Sequence, residues 1–300
     1  MKTIRRAAFL GVLALASLVG SVHLLAVQDG AAVARKDGAA VARQDEAAVA
    51  RQALTDAQIE DFLLNARIGA TKGVNKGVTN TRRATLSDGR ITHDAQIQTV
   101  NISQTLFKPD NGPAEMNFKD TYRYNIAGYR LARLLGLDDV PVSVERRVEG
   151  TPAAVTWWID DYLMDEGGRR KKETNTEMST RTAGQIHIMR VFDELIANTD
   201  RNGGNLLWTT NGDMWMIDHT RAFRLNTKLK TPKLLERCER GLLEKMRGLD
   251  AETLTRKMGS SLNKFEIEAL LARRDEIVKL FEGLVAQRSE RAVLYTLPPR

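Results

Sequence analysis

The chain has one cysteine, Cys238, in 300 residues. An internal disulfide framework cannot form, and a Cys-rich zinc site is excluded. Histidine is almost as scarce: there are four, with no H-x-H or H-E-x-x-H spacing, which leaves a zinc hydrolase without its usual ligands. Aromatics make up 6% and are not interleaved with the basic residues, so the chain lacks the stacking-plus-charge pattern of a nucleic-acid binder. Only one apolar run is long enough to matter, which excludes a multi-span membrane protein. What remains is ordinary: 42% hydrophobic and 28% charged residues, with a net charge of +7. That composition suits a soluble globular fold with a mild preference for anionic ligands, phosphates first.

The apolar run, Ala7–Val27, follows the basic start Met1-Lys2-Thr3-Ile4-Arg5-Arg6. A short cationic region ahead of such a run is the layout of an export signal, with cleavage after Ser21 or Ala26. At ~1.5 Å per residue the run also spans a bilayer, so an uncleaved anchor is the alternative. In both cases the rest of the chain is expected outside the cytoplasm, as a periplasmic, extracellular or membrane-anchored protein. The Arg5-Arg6 pair resembles a twin-arginine signal, but Phe9-Leu10 falls one residue late. Residues 28–53 then repeat an octad, Gln28-Asp29-Gly30-Ala31-Ala32-Val33-Ala34-Arg35 and two variants of it. Over residues 28–52 four basic residues cancel four acidic ones, and leucine and aromatics are absent. Such a segment buries too little to fold alone and reads as a tether.

Folded sequence begins near Leu54 and continues to residue 300. Thr55 and Gln58 spell a capping box ahead of a helix at 56–66. Arg82–Leu86 and Ile91–Val100 flank Ser87-Asp88-Gly89, a hairpin signal. Helical spacing from Phe118 to Leu135 ends at Gly136, and Val140–Val148 and Ala153–Ile159 read as strands joined at Gly150. After residue 162 the pattern turns helical: 183–198, then 231–246, 251–258 and 263–287, with a short hairpin, Leu206–Trp208 and Met214–Ile217, around Asn211-Gly212. A β-rich first half followed by an α-rich second half predicts an α+β protein of two lobes, 54–162 and 163–300.

The segment Val191–Phe223 carries the chemistry. Asp200 lies in a polar loop after a helix, Asn205 stands five residues on before a strand, and Asp218 ends the next strand. A short hairpin opens both polar loops at one end and brings the three residues around one point. Two carboxylates and an amide oxygen suit Mg²⁺, which keeps water and phosphate oxygens in its shell. One carboxylate can then deprotonate a hydroxyl while the metal ligands neutralise a transferring phosphoryl group.

The wording Asp200-Arg201-Asn202-Gly203-Gly204-Asn205-Leu206-Leu207, then Ile217-Asp218-His219, resembles the D-R-H-x-x-N-x-L and I-D-F/H-G signatures of the phosphatidylinositol 3-/4-kinases. More loosely it resembles the HipA-type and secreted Fam20-type kinases. The resemblance is strong over 191–223, extends in outline over Gly77–Asp161, and is thin after 225. It implies a bilobal protein-kinase-like fold and phosphoryl transfer from ATP or another nucleoside triphosphate to a hydroxyl acceptor, with Mg²⁺ or Mn²⁺. By that likeness Asp200 is the catalytic base, Arg201 supports its loop, and Asn205 and Asp218 hold the metal. Gly77 and Thr79 fall in the loop that covers phosphates, Gln98 on the phosphate-binding strand, Asn125 on the facing helix, and Asp161 in the connector where an adenine sits. Gln98 and Asn125 replace the lysine and glutamate of the family, a paired departure that removes a positive charge. Lys108 or Lys76 would then supply the cation, or Lys108 with Glu115 or Asp120 forms the pair in a shifted register. A non-catalytic domain that binds nucleotide, metal or a partner protein is the second reading, and a hydrolase using Asp200, Asp218 and His219 is the third.

Smaller features are expected to be structural. His93 is placed facing solvent on a strand, His187 on a helix with a local partner, and Cys238 mid-helix without a base beside it. Arg169-Arg170-Lys171-Lys172 reads as a solvated loop, or as a contact for an acidic substrate or anionic lipid headgroups.

Overall fold

Thr55 and Gln58 do form the reciprocal cap: the Thr55 hydroxyl accepts from the Gln58 amide N–H, and the Gln58 side chain takes the Thr55 N–H. They start α1 (Asp56–Asn65), whose Phe62 and Leu63 are buried. The computed structural model describes residues 54–73, 81–109, 112–172 and 178–298. The apolar run at 7–27 and the octad tether lie outside the described residues, as do Gly77, Thr79 and Lys76. No helix among the described residues is long and apolar enough to cross a membrane.

Five antiparallel strands make the main sheet of the first half: β1 (Arg67–Gly73), β2 (Arg82–Ser87), β3 (Thr92–Gln98), β6 (Ser143–Val148) and β7 (Thr151–Trp157), in the order β1-β2-β3-β7-β6. The β2–β3 turn uses Asp88, whose carboxylate accepts the Arg90 and Ile91 N–H groups, and Gly89 at φ 88°. Period-2 alternation puts Ala84, Leu86, Ala95, Ile97 and Val155 into the core, and α1 packs on β6 and β7.

The expected helix from Phe118 starts later than predicted. Residues 118–121 belong to β5 (Glu115–Thr121), which pairs antiparallel with β4 (Asn101–Phe107) in a separate hairpin. Phe118 mimics helical spacing, but its ring sits under the Arg221 and Arg224 guanidiniums, at 4.9 and 5.2 Å. The helix proper, α2 (Arg123–Leu134), is buried on nearly every side and closes at Gly136, φ 72°. It packs on β6 and β7 on one side and on α6 (Ala251–Met258) on the other.

The second half holds α3 (Glu166–Lys172), α4 (Thr180–Leu195), α5 (Arg240–Arg247), α7 (Lys264–Arg288) and α8 (Glu290–Val293). A three-stranded sheet, β10-β9-β8, is built from β8 (Tyr162–Asp165), β9 (Leu206–Thr209) and β10 (Met214–Met216). The helix expected over 231–246 begins only at Arg240, capped by the Glu239 carboxylate on the Leu242 N–H. Cys238 is not mid-helix. With Glu239 it forms β11 (Cys238–Glu239), paired in parallel with β12 (Leu294–Tyr295). Burial first, and then the Glu239 charge, push its thiol up, so it stays protonated and unreactive.

Arg273 on α7 is fully buried. Its guanidinium donates to the carbonyls of Leu195 (2.8 Å), Arg224 (2.9 Å) and Asn226 (2.5 Å). It thereby ties the end of α4 to the segment that follows Asp218.

Candidate active site

The loop after α4 is organised by one side chain. Arg201 grips Asp193 with both arms, Nε to Oδ2 and Nη2 to Oδ1 at 2.9 Å each. Its Nη1 donates to the carbonyls of Asn205 (3.1 Å) and Ile217 (2.6 Å). The Ile217 N–H returns a bond to the Asn205 carbonyl at 3.0 Å. The stretch 200–205 is therefore pinned to the end of β10, and Asp200, Asn205 and Asp218 are held on neighbouring backbone. A bidentate guanidinium fits this job because its fork is rigid and always charged.

Asp218 sits at φ 56°, in the left-handed region. A non-glycine residue there costs of order 1–3 kcal/mol and persists only where its surroundings hold it. Here the Thr220 hydroxyl donates to Asp218 Oδ1 at 3.1 Å, and the Thr220 carbonyl accepts from the Thr121 N–H at 2.9 Å. That second bond brings β5, and with it Asp120, beside Asp218. Burial pushes the Asp120 carboxyl up, a Thr220 hydrogen bond opposes this, and the charges of Asp218 and Asp200 add to the rise against Arg221. Asp120 Oδ1 is buried without a hydrogen-bond partner. From sequence Asp120 is a candidate only as a partner for Lys108, and helical spacing from Phe118 masks its strand, so no local signal points to this place.

Arg221 is the cation beside Asp200, Nη1 to Oδ2 at 3.4 Å, and it also meets Glu115. Glu115 pairs with Arg221 and Arg224, and Lys108 is exposed with no ion pair among the described residues. The shifted pairing of Lys108 with Glu115 or Asp120 is therefore not formed.

Gln98 and Asn125 do meet. Both are buried, and Asn125 Nδ2 donates to Gln98 Oε1 at 2.5 Å. Asn125 Oδ1 accepts the His219 backbone N–H at 2.7 Å, so the amide pair reaches from the sheet to the residue after Asp218. The His219 ring packs on the same helix, α2. It is buried edge-on to Phe192, and a Cβ on Gly128 would lie only 3.2 Å from it, which is why α2 carries glycine there. Burial, helped by the Arg201 charge, drives the His219 pKa well down. The ring is enclosed between Phe192 and α2 and is buried from solvent.

The connector differs from expectation in one respect. His93 is buried rather than solvent-facing: it stacks on Trp157 at 3.5 Å and its Nε2 meets Asp160 Oδ2 at 2.7 Å. One face of Trp157 is thus already covered. Asp161 is exposed, and its carbonyl accepts the Thr210 N–H at 3.0 Å.

The basic stretch 169–172 is the end of α3, not a loop. The Glu166 carboxylate takes Arg169 Nε and Nη2 at 2.6 and 2.8 Å, Arg170 Nε at 2.8 Å and Trp208 Nε1 at 2.8 Å. Burial alone would raise this carboxyl, but the four hydrogen bonds outweigh it and hold the pKa at about 2, against 4.5 ordinarily. A depressed folded-state value contributes stability that is complete above pH 4.5 and disappears as pH falls towards 2. Glu166→Gln is expected to flatten that limb of a melting-temperature profile recorded across this range. An unchanged limb would place the acid sensitivity elsewhere.

Among the described residues no three His, Cys, Asp or Glu side chains form a ready metal cage. Magnesium does not require one, since it takes one or two carboxylates together with water and phosphate oxygens. The Asp218 carboxylate, the Asn205 amide and the unsatisfied Asp120 Oδ1 are hard oxygen donors of that type.

No family model and no curated protein sequence matches the chain. Solved structures do. A hydra Fam20 structure with sugar is 14% identical, covers 80% of this chain and 91% of its own, and superposes with a TM-score of 0.58. The golgi casein kinase is 12% identical over 81% of this chain and 79% of its own, with a TM-score of 0.56. The Helicobacter pylori proinflammatory kinase CtkA is 13% identical over 76% of this chain and 97% of its own, at a TM-score of 0.46. The chain is a mixed helix-and-sheet protein with an atypical-kinase-like fold.

Proposed function

We propose that the chain is a kinase-like phosphotransferase that uses a nucleoside triphosphate and Mg²⁺ to phosphorylate a hydroxyl acceptor. The observation that carries this reading is the Arg201 clamp, which pins the Asp200–Asn205 loop against the strand ending at Asp218. In this reading Asp200 accepts the proton of the acceptor hydroxyl, and Asn205 and Asp218, with Asp120 beside them, hold the metal. The ion would neutralise the charge of the transferring phosphoryl group. Arg221, already against Asp200, supplies the positive charge that Gln98 does not. Gly77 and Thr79 keep their assignment to the phosphate-covering loop, and Asp161 its place in the connector. The basic start and apolar run at 1–27 support an exported or membrane-anchored protein, with residues 28–53 as tether.

A second reading has its own support. Gln98 and Asn125 make a neutral pair that brings no charge to a phosphate, so the domain would bind nucleotide without turning it over. Transfer of labelled γ-phosphate from ATP to the chain itself or to a mixture of protein, sugar and lipid acceptors separates the two. The first reading expects incorporation that Asp200→Asn reduces by at least about a hundredfold, the usual weight of a general base. Equal incorporation in parent and variant would remove Asp200 as the base. Nucleotide binding with no incorporation in either would favour the second reading.

A further inference from the structure

A cavity of about 310 Å³ lies between α3 and α4, lined by Glu166, Arg169, Arg170, Met178, His187 and Arg190 among others. None of the residues around Asp200 and Asp218 lines it. Among the described residues its charge is unbalanced. The sole carboxylate among the lining residues, Glu166, is saturated by four donors and cannot accept a fifth strong bond. It offsets Arg169, and Arg170 shares it with one nitrogen only. Arg190 pairs with no carboxylate among the described residues. His187 was expected to find a local partner on its helix, yet its Nδ1 is buried without one. Burial, then Arg190 and Arg237, hold the His187 pKa down, so the ring adds a hydrogen-bonding nitrogen without a further fixed charge. Among the described residues, three guanidiniums meet one carboxylate around a concave space, an arrangement that suits an anion. Guanidinium forks match phosphate oxygens in geometry as well as charge.

We propose that this cavity is a binding site for a phosphate-class dianion, held by Arg190 and the free edge of Arg170, with His187 as a further polar contact. The site stands independently of the nucleotide reading. It is coupled to the catalytic loop by packing: a Cβ on Gly203 would lie 3.0 Å from the Gly167 nitrogen of α3, and Glu166 anchors α3 to Trp208 of β9. A phosphate bound here would brace the back of the loop that carries Asp200.

Thermal unfolding of the full chain tests this with two probes, inorganic phosphate and O-phosphoserine, each titrated to millimolar levels at constant ionic strength. A ligand that binds only the folded state must raise the melting temperature. Both the parent and Asp218→Asn are expected to respond, and Arg190→Gln to weaken the apparent affinity about tenfold or more, as loss of a charged hydrogen bond does. Arg170→Gln, at a largely exposed side chain, should weaken it too and serves if the Arg190 variant does not fold. A stronger response to O-phosphoserine assigns the site to a covalently held phosphate, and an equal response assigns it to the free ion. No response in the parent, an equal response in both arginine variants, or a response abolished by Asp218→Asn overturns the proposal. So does binding to anionic vesicles without any response to the two probes.

Discussion

Arg201→Met is expected to lower the unfolding free energy by about 3–5 kcal/mol, the cost of leaving one half of a buried ion pair uncompensated. The two side chains are only 9% and 11% exposed, so solvent does little to screen the loss. The Ile217 carbonyl loses the Arg201 donor at the same time, and the Asn205 carbonyl keeps the Ile217 N–H. Asp193 would stay buried with Asn198 as its remaining side-chain partner. Urea unfolding measures the effect as a shifted midpoint. Arg201→Lys restores the charge without the fork and should recover part of the stability. A loss under about 1 kcal/mol for Arg201→Met would mean the pair behaves like an exposed one, and the clamp would lose its place in the account.

Gln98→Lys is the second large effect, and its sign is informative. Gln98 is 1% exposed and receives the Asn125 amide at 2.5 Å. An ammonium there would be buried against the Asn125 amide donor, so the variant should lose about 3 kcal/mol or more. Adding Asn125→Glu supplies the anion and can still accept the His219 N–H, so the double variant should regain most of the loss. A favourable coupling above about 1 kcal/mol in the double-mutant cycle is the expected reading. The double variant should also bind nucleotide more tightly if the pair faces the phosphates. Additive losses would mean that the two side chains do not share one environment.

Local signals made much of this fold legible. The Thr55–Gln58 cap, the Asp88-Gly89 turn, Gly150, and Asn211-Gly212 act through a few neighbouring residues, and each stands where its chemistry points. Long-range pairing was not legible. The β4–β5 hairpin has a nearly fully exposed first strand without alternation, and Phe118 is buried by arginines a hundred residues away. Cys238–Glu239 looked helical because its strand partner is Leu294–Tyr295. His93 shares the inward parity of Ala95 and Ile97, a pattern that alternation offers but polarity hides. In the site, the spacing of Asp200, Asn205 and Asp218 and the pairing of Gln98 with Asn125 could be read from sequence. Asp120, Arg221 and the true role of Glu166 could not, since each depends on a contact made only in the folded chain.

Thermal unfolding with ATP, with and without Mg²⁺, tests most directly the proposed magnesium-dependent nucleotide site at Asp218. The predicted result is a rise in melting temperature that needs both ATP and Mg²⁺ and is lost in Asp218→Asn, while Arg190→Gln keeps it. No rise at millimolar Mg²⁺-ATP, or a rise that Asp218→Asn leaves intact, would contradict the account.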